Sequence, residues 1–284
     1  MTLAFSKMHG LGNDFVVIDT RRQPVALTPD LIRRLADRHT GVGFDQLLLI
    51  DPPPRPDVDV GYRIFNADGG EVGQCGNGVR CIGCFLQRRS ALPADADLRV
   101  ATRDGVMDLS FDADGEVTAT MGLPTFDPPS VPFVAAAAAP HHPLQVDGQT
   151  LDIGVVALGN PHAVLWVDDV DLAPVATLGP AIQRHPRFPA GVNVGFAQRL
   201  DPHRLRLRVF ERGVGETRAC GSGACAAVAV GRHQGLLPPR VAVELPGGRL
   251  TIAWEDSSQP LTMTGPAVHV FDGTLELAGL EAFV

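Results

Sequence analysis

Two stretches of this 284-residue chain are variants of one pattern. Residues 63–78 read RIFNADGGEVGQCGNG and residues 208–223 read RVFERGVGETRACGSG. A shift of 220 − 75 = 145 positions lays Arg63 on Arg208, Phe65 on Phe210 and Glu71 on Glu216. The same shift lays Cys75 on Cys220, Gly76 on Gly221 and Gly78 on Gly223. A second echo joins Gly12-Asn13 in GNDFVVID to Gly159-Asn160 in GNPHAVLWVD, at 160 − 13 = 147. Two matches at nearly one spacing make duplication the better reading, and a duplicated chain must fold as two like halves.

The local patterns say what each half contains. Apolar runs at Phe15–Ile18, Leu47–Ile50, Val155–Leu158, Val164–Val167 and Leu205–Phe210 predict strands. Val79–Gln87 and Ala224–His233 predict buried helices that begin just after each CG[NS]G, and Leu31–His39 an amphipathic helix capped by Thr28 and opened by Pro29. Strands outnumber helices, so the fold class is α+β, with two similar sheet-wrapped halves. The Pro- and Ala-rich stretch 124–143 lies where a linker or long connection is expected, and DPPPRPD at 51–57 reads as a surface loop.

Composition removes several classes of function. With 45% hydrophobic and 20% charged residues the chain is ordinary globular material. Its net charge of −8 and lack of a basic tract argue against nucleic acid or an anionic membrane as partner. No secretory pattern or long apolar span is present, and five cysteines suit reduced thiols, so a cytoplasmic location is expected. Lys7 is the only lysine, leaving pyridoxal phosphate one possible anchor.

The cysteines carry the chemistry. Glycines around a small polar residue, just before a helix, expose backbone N–H groups where the helix dipole favours an anion. A thiol there is expected to titrate below its usual ~8.5, towards neutrality. Each half therefore offers a carboxylate cradle with an acid–base sulfur beside it. If both cradles served one carboxylate, a sulfur would stand on either side of its α-carbon. Inverting that carbon needs a base on one face and an acid on the other, and two thiols can alternate in these roles. Cys81, Cys84 and Cys225 fall inside predicted helices and read as packing. The C-x-x-C of Cys81 and Cys84 has no second pair to complete a metal site, and no P-loop or G-x-G-x-x-G pattern is met cleanly.

The blocks KMHGLGNDFVVID, FDQLLLI, RIFNADGGEVGQCGNGVRC, GNPHAV, GVNVGF, ERGVGETRACGSGACA and MTGPAVHVFDG, in this order, resemble the diaminopimelate epimerase family over nearly the whole chain. The resemblance implies two similar α/β domains, each a sheet wrapped around a central helix, with the C-terminal tail returning to the first. The domains would be 1–122 plus 266–284, carrying Cys75, and 123–265, carrying Cys220. The implied activity is interconversion of LL- and meso-diaminopimelate in lysine and peptidoglycan precursor synthesis, without cofactor or metal. Cys75 and Cys220 would be the acid–base pair, with Gly76-Asn77 and Gly221-Ser222 binding the reacting carboxylate. Asn13, Gln46, Asn66, Asn160, Asn193, Glu211 and Arg212 would hold the rest of a diamino diacid, Arg212 suiting its distal carboxylate. His162 and Glu211 would tune thiol pKa values, a protonated His favouring thiolate and a carboxylate disfavouring it. A homodimer is implied too, although Phe271 stands where relatives often carry Tyr at the contact.

Three rivals compete with this reading. A proline or hydroxyproline racemase of the same architecture would lack the ring of Asn, Glu and Arg residues. A thiol redox or metal-binding protein built on Cys75, Cys81 and Cys84 would survive loss of Cys220. A non-catalytic amino-acid-binding module would tolerate serine at both Cys75 and Cys220.

Overall fold

The computed structural model describes residues 2–73, 75–89 and 97–277. Two compact units emerge: Met1–Ala119 with Gly265–Val284, and Thr120–Thr264. Each carries the same succession of strand pairings, which is the duplication expressed in three dimensions.

In the first unit, Thr2–Gly10 pairs antiparallel with Asn13–Asp19, which runs parallel to Gln46–Asp51. Gln46–Asp51 pairs antiparallel with Val60–Asn66, which runs parallel to Leu98–Thr102, itself antiparallel to Gly105–Phe111. In the second unit Gln149–Ala157, Pro161–Trp166, Asn193–Asp201, Arg204–Glu211, Arg240–Leu245 and Gly248–Ala253 repeat this order, antiparallel and parallel in the same places. Strand Val268–Glu276 lies antiparallel against Thr2–Gly10 and so belongs to the first unit's sheet.

Helices make the parallel crossovers, as parallel neighbours require. Helix α1 (Pro29–Ala36) joins the first parallel pair of unit one; α2 (Gly76–Arg88) joins the second. Helices α3 (Val175–Gln183) and α4 (Gly221–His233) do the same in unit two. Ten of the thirteen residues of α2, and ten of the thirteen of α4, are buried. Each is therefore the central helix of its sheet, while α1 covers the opposite face with Ile32 and Leu35 on Val16, Ile18, Leu47 and Leu49. Covering both faces explains why strands such as Phe15–Asp19 read as continuous apolar runs rather than alternations. Gly154 admits α4 to the sheet: a Cβ there would collide with Val230.

Three expectations need correction or narrowing. Helices α2 and α4 begin at Gly76 and Gly221, not after the Gly-rich turns; Cys75 and Cys220 are their N-caps, with extended backbone. Glycine's poor propensity marks these positions as loop, but burial holds them in the helices. The stretch 124–143 is the long connection of the two alternatives, not a linker. Val131 and Phe133 are 1% and 4% exposed in the second unit's core, Phe133 stacking on Phe188 at 4.7 Å beneath Arg187. Helix α1 stops at Ala36, short of His39, because Val42 and Gly43 donate to the Leu35 carbonyl and turn the chain back; Thr28 caps it as expected.

Among the described residues no helix is long and apolar enough to cross a membrane, and no group of three metal-ligating side chains assembles.

Candidate active site

The two units bring their predicted residues together separately, and the two half-sites share a plan. In both, a Gly with positive φ (Gly12 at 83°, Gly159 at 77°) makes a turn that only glycine adopts cheaply, and the Asn after it meets the N-terminus of the central helix.

In the first unit Cys75 lies half-buried at the start of α2. Its Sγ is 3.9 Å from Asn13 Oδ1, which also accepts from Asn77 Nδ2 at 3.3 Å. Asn13 Nδ2 donates to Asp45 Oδ2 at 3.0 Å. Gly76 and Asn77 form the first turn of the helix, where N–H groups have no carbonyl one turn back. Gln46 and Asn66 face each other across adjacent strands and form their own contact, Nε2 to Oδ1 at 2.9 Å. Lys7 is ion-paired with Asp14 and also donates to the Gly43 carbonyl. Partial burial works against ionisation of Asp14, but hydrogen bonds from Arg38 and Lys7 prevail and bring it down to about 2.

The second unit is drier. Cys220 is 3% and His162 1% exposed. His162 Nε2 donates to Asn160 Oδ1 at 2.9 Å, Asn160 Nδ2 donates to Ser222 Oγ at 3.3 Å, and Ser222 Oγ lies 3.6 Å from Cys220 Sγ. The Glu211 carboxylate acts on the Cys220 thiol, and Thr217 donates to Glu211. Asn193 Oδ1 accepts from the Arg212 backbone N–H at 2.8 Å, while Asn193 Nδ2 holds the Pro161 carbonyl at 3.1 Å. Arg212 is exposed; Nη1 donates to the Ala190 carbonyl, and among the described residues no carboxylate pairs with its guanidinium.

Burial corrects two expectations about charge. Desolvation, reinforced by the Glu211 carboxylate, pushes the Cys220 thiol well above its ordinary range, against the smaller pull of Ser222 and the Gly223 N–H. The helix start alone therefore does not make Cys220 a thiolate. His162, desolvated and facing Arg212, is lowered to about 3, so it is neutral at pH 7 and holds no positive charge to offer a thiolate. It contributes a hydrogen bond instead. Replacing the carboxylate tests the first point: Glu211→Gln should lower the pH midpoint of Cys220 alkylation by iodoacetamide by about one unit or more. An unchanged midpoint, followed by peptide mapping, would remove Glu211 from this role.

The other thiols behave as packing groups. Cys81 and Cys225 are fully buried, burial pushes Cys81 and Cys84 upward, and Cys84 donates to the Ala267 carbonyl at 3.4 Å. Sequence reasoning missed three participants: Thr217, Asp45 and the wholly buried Arg80. Only Arg80 left a signal, a charged residue within the apolar run of a predicted buried helix.

Each of the two like α/β units is wrapped about a helix that a cysteine caps. The solved relatives share this fold. A phenazine biosynthesis protein of the PhzF family from Bacillus anthracis matches at 17% identity and a TM-score of 0.71, over 97% of this chain and 99% of its own. A hydroxyproline epimerase from Agrobacterium vitis, solved with trans-4-hydroxy-L-proline, matches at 16% and 0.70, over 96% and 92%. A probable proline racemase from Agrobacterium radiobacter matches at 16% and 0.70, over 97% and 93%. A family-wide sequence profile, described as diaminopimelate epimerase, matches residues 5–126 and 154–270, one region in each half. The chain belongs to the diaminopimelate epimerase family, and it is an isomerase.

Proposed function

We propose that this protein interconverts LL- and meso-diaminopimelate by a two-base mechanism in which Cys75 and Cys220 act on one α-carbon. The repetition of the half-site carries this reading: each unit sets a cysteine at the N-cap of its buried central helix, beside a Gly-Asn turn. In one direction the Cys75 thiolate takes the α-proton and the Cys220 thiol returns one to the opposite face. No electrons are gained or lost; the substrate leaves inverted, with the roles of the sulfurs exchanged. Gly76-Asn77 and Gly221-Ser222 hold the reacting carboxylate, whose charge grows as the α-carbon flattens, at the two helix N-termini. No external cofactor is needed for this proton traffic.

The choice of a diamino diacid rests on the second unit. Arg212 presents a guanidinium with no carboxylate partner among the described residues, Glu211 supplies oxygens suited to an ammonium group, and Asn160 and Asn193 are polar groups beside them. Asn13, Gln46 and Asn66 extend the polar surroundings in the first unit. A cyclic imino acid has no second amino acid group for such residues to hold. The same reading places the enzyme in lysine and cell-wall precursor synthesis in the cytoplasm. It also places a second copy of the chain on the exposed Val270 and Phe271 of strand Val268–Glu276.

Exchange in heavy water tests the reading. Deuterium should enter the α-position of LL- and meso-diaminopimelate and not of proline or trans-4-hydroxyproline. Exchange confined to the cyclic substrates would overturn it.

A further inference from the structure

We infer that Arg80 is a positioning residue of the first half-site, fixing the polarity of the hydrogen-bond line that ends at Cys75. The inference rests on the reading above, in which Gly76 and Asn77 hold the carboxylate and Cys75 moves the proton. Arg80 is wholly buried, and it heads the fully buried side chains by volume. From the second turn of α2 its guanidinium reaches back to the first: Nη1 donates to the Gly76 carbonyl at 3.1 Å and Nη2 to Asn77 Oδ1 at 3.0 Å. Room for it is made by Gly10, where a Cβ would stand 3.3 Å from Nη2 and equally close to Asn77 Cβ.

A carboxamide has a donor end and an acceptor end, and its neighbours choose between them. Guanidinium can only donate, so Asn77 must give Arg80 its oxygen and turn its NH2 outward. That NH2 meets Asn13 Oδ1, and Asn13 turns its own NH2 to Asp45, a carboxylate that can only accept. With a pure donor at one end and a pure acceptor at the other, every amide on the line has one orientation. Asn13 consequently presents oxygen to Cys75 Sγ. The bond to the Gly76 carbonyl fixes the first peptide plane of the helix as well, and with it the direction of the amide that follows.

The second half does the same work with a different residue. The offset of 145 sets Arg80 against Cys225, which is small and buried, so no guanidinium is available there. Neutral His162 takes its place: a buried Nε2–H donates to Asn160 Oδ1 and turns the Asn160 NH2 towards Ser222 and Cys220. A buried donor thus stands behind the Gly-Asn amide line of each half, directly on Asn160 in one and through Asn77 in the other.

The test uses the full chain and reads each thiol separately. Arg80→Lys keeps the charge and loses the fork, and iodoacetamide alkylation followed across pH by peptide mapping reports on Cys75, Cys220 and Cys81 at once. Buried Cys81 monitors the fold by remaining unreactive. The pH midpoint of Cys75 should move by about half a unit or more, with Cys220 unmoved. In the exchange assay kcat should fall roughly tenfold or more. Asn13→Ala breaks the same line at a half-buried turn, and it should move the Cys75 midpoint whether or not Arg80→Lys folds. Arg80 is a core filler, and the inference wrong, if Cys75 titrates as in the unaltered protein in Asn13→Ala or in folded Arg80→Lys. The alkylation arm needs no substrate, so it stands apart from the reading of function: an unaltered protein without diaminopimelate exchange contradicts that reading alone.

Discussion

Cys220→Ala should cut interconversion of the two diaminopimelate epimers by about 10²–10⁴-fold, while leaving the protein folded. The size follows from the chemistry: one face of the α-carbon would have no acid or base, and a positioned proton-transfer group supplies about 10²–10⁴. The fold should survive because only a sulfur is lost from a small buried side chain, a change worth about 1–2 kcal/mol. A finer outcome separates two bases from one. With Cys75 intact, α-deuterium should still wash out of the epimer that presents its proton to Cys75, without conversion to the other. Cys75→Ala should spare washout from the opposite epimer. Chiral chromatography alongside mass spectrometry reads both. Conversion at near-native rate in either variant would leave the second sulfur without a task.

Acid should destabilise the protein through His162 well before its carboxylates titrate. The unfolded chain binds a proton at this imidazole near pH 6.5, while the folded protein resists until about 3. Between these values the unfolded state holds the extra proton, so stability grows with pH at about 1.4 kcal/mol per unit from this residue alone. The contribution is full above 6.5 and disappears as pH falls towards 3. Asp14 and Asp272, both lowered to about 2, act in the same sense but in a separate window, below their unfolded value near 3.8. Urea midpoints from pH 7 to 4 should therefore fall steeply in the native protein and less steeply in His162→Gln. Equal slopes would mean that the imidazole is protonated in place.

Much of this was legible in the chain, and the parts that were not share a cause. The pairing of Cys75 with Cys220 and of Asn13 with Asn160 could be read because duplication writes structure into sequence at fixed spacing. Strand cores such as Leu47–Ile50 and the Thr28 cap followed from local pattern. The starts of α2 and α4 did not, since glycines at 76, 78, 221 and 223 mark a loop by propensity and a helix only by burial. Composition marks 124–143 as a linker or long connection and does not show that Val131 and Phe133 are core, because the residues that bury them lie on other elements. The charge states of Cys220 and His162 depend on dryness, which spacing does not record. Arg80 shows the limit most clearly: its position on α2 was readable, whereas its hold on Asn77 exists only once the helix has formed.

Mild oxidation, followed by non-reducing peptide mapping, asks directly whether both sulfurs serve one substrate atom. Groups that flank a single carbon can close on each other, so a linked peptide pair containing Cys75 and Cys220 should form. Exchange activity should be lost in step with it and return with a thiol reductant. Activity that persists under oxidant, with Cys75 and Cys220 modified independently and never joined, would contradict the account.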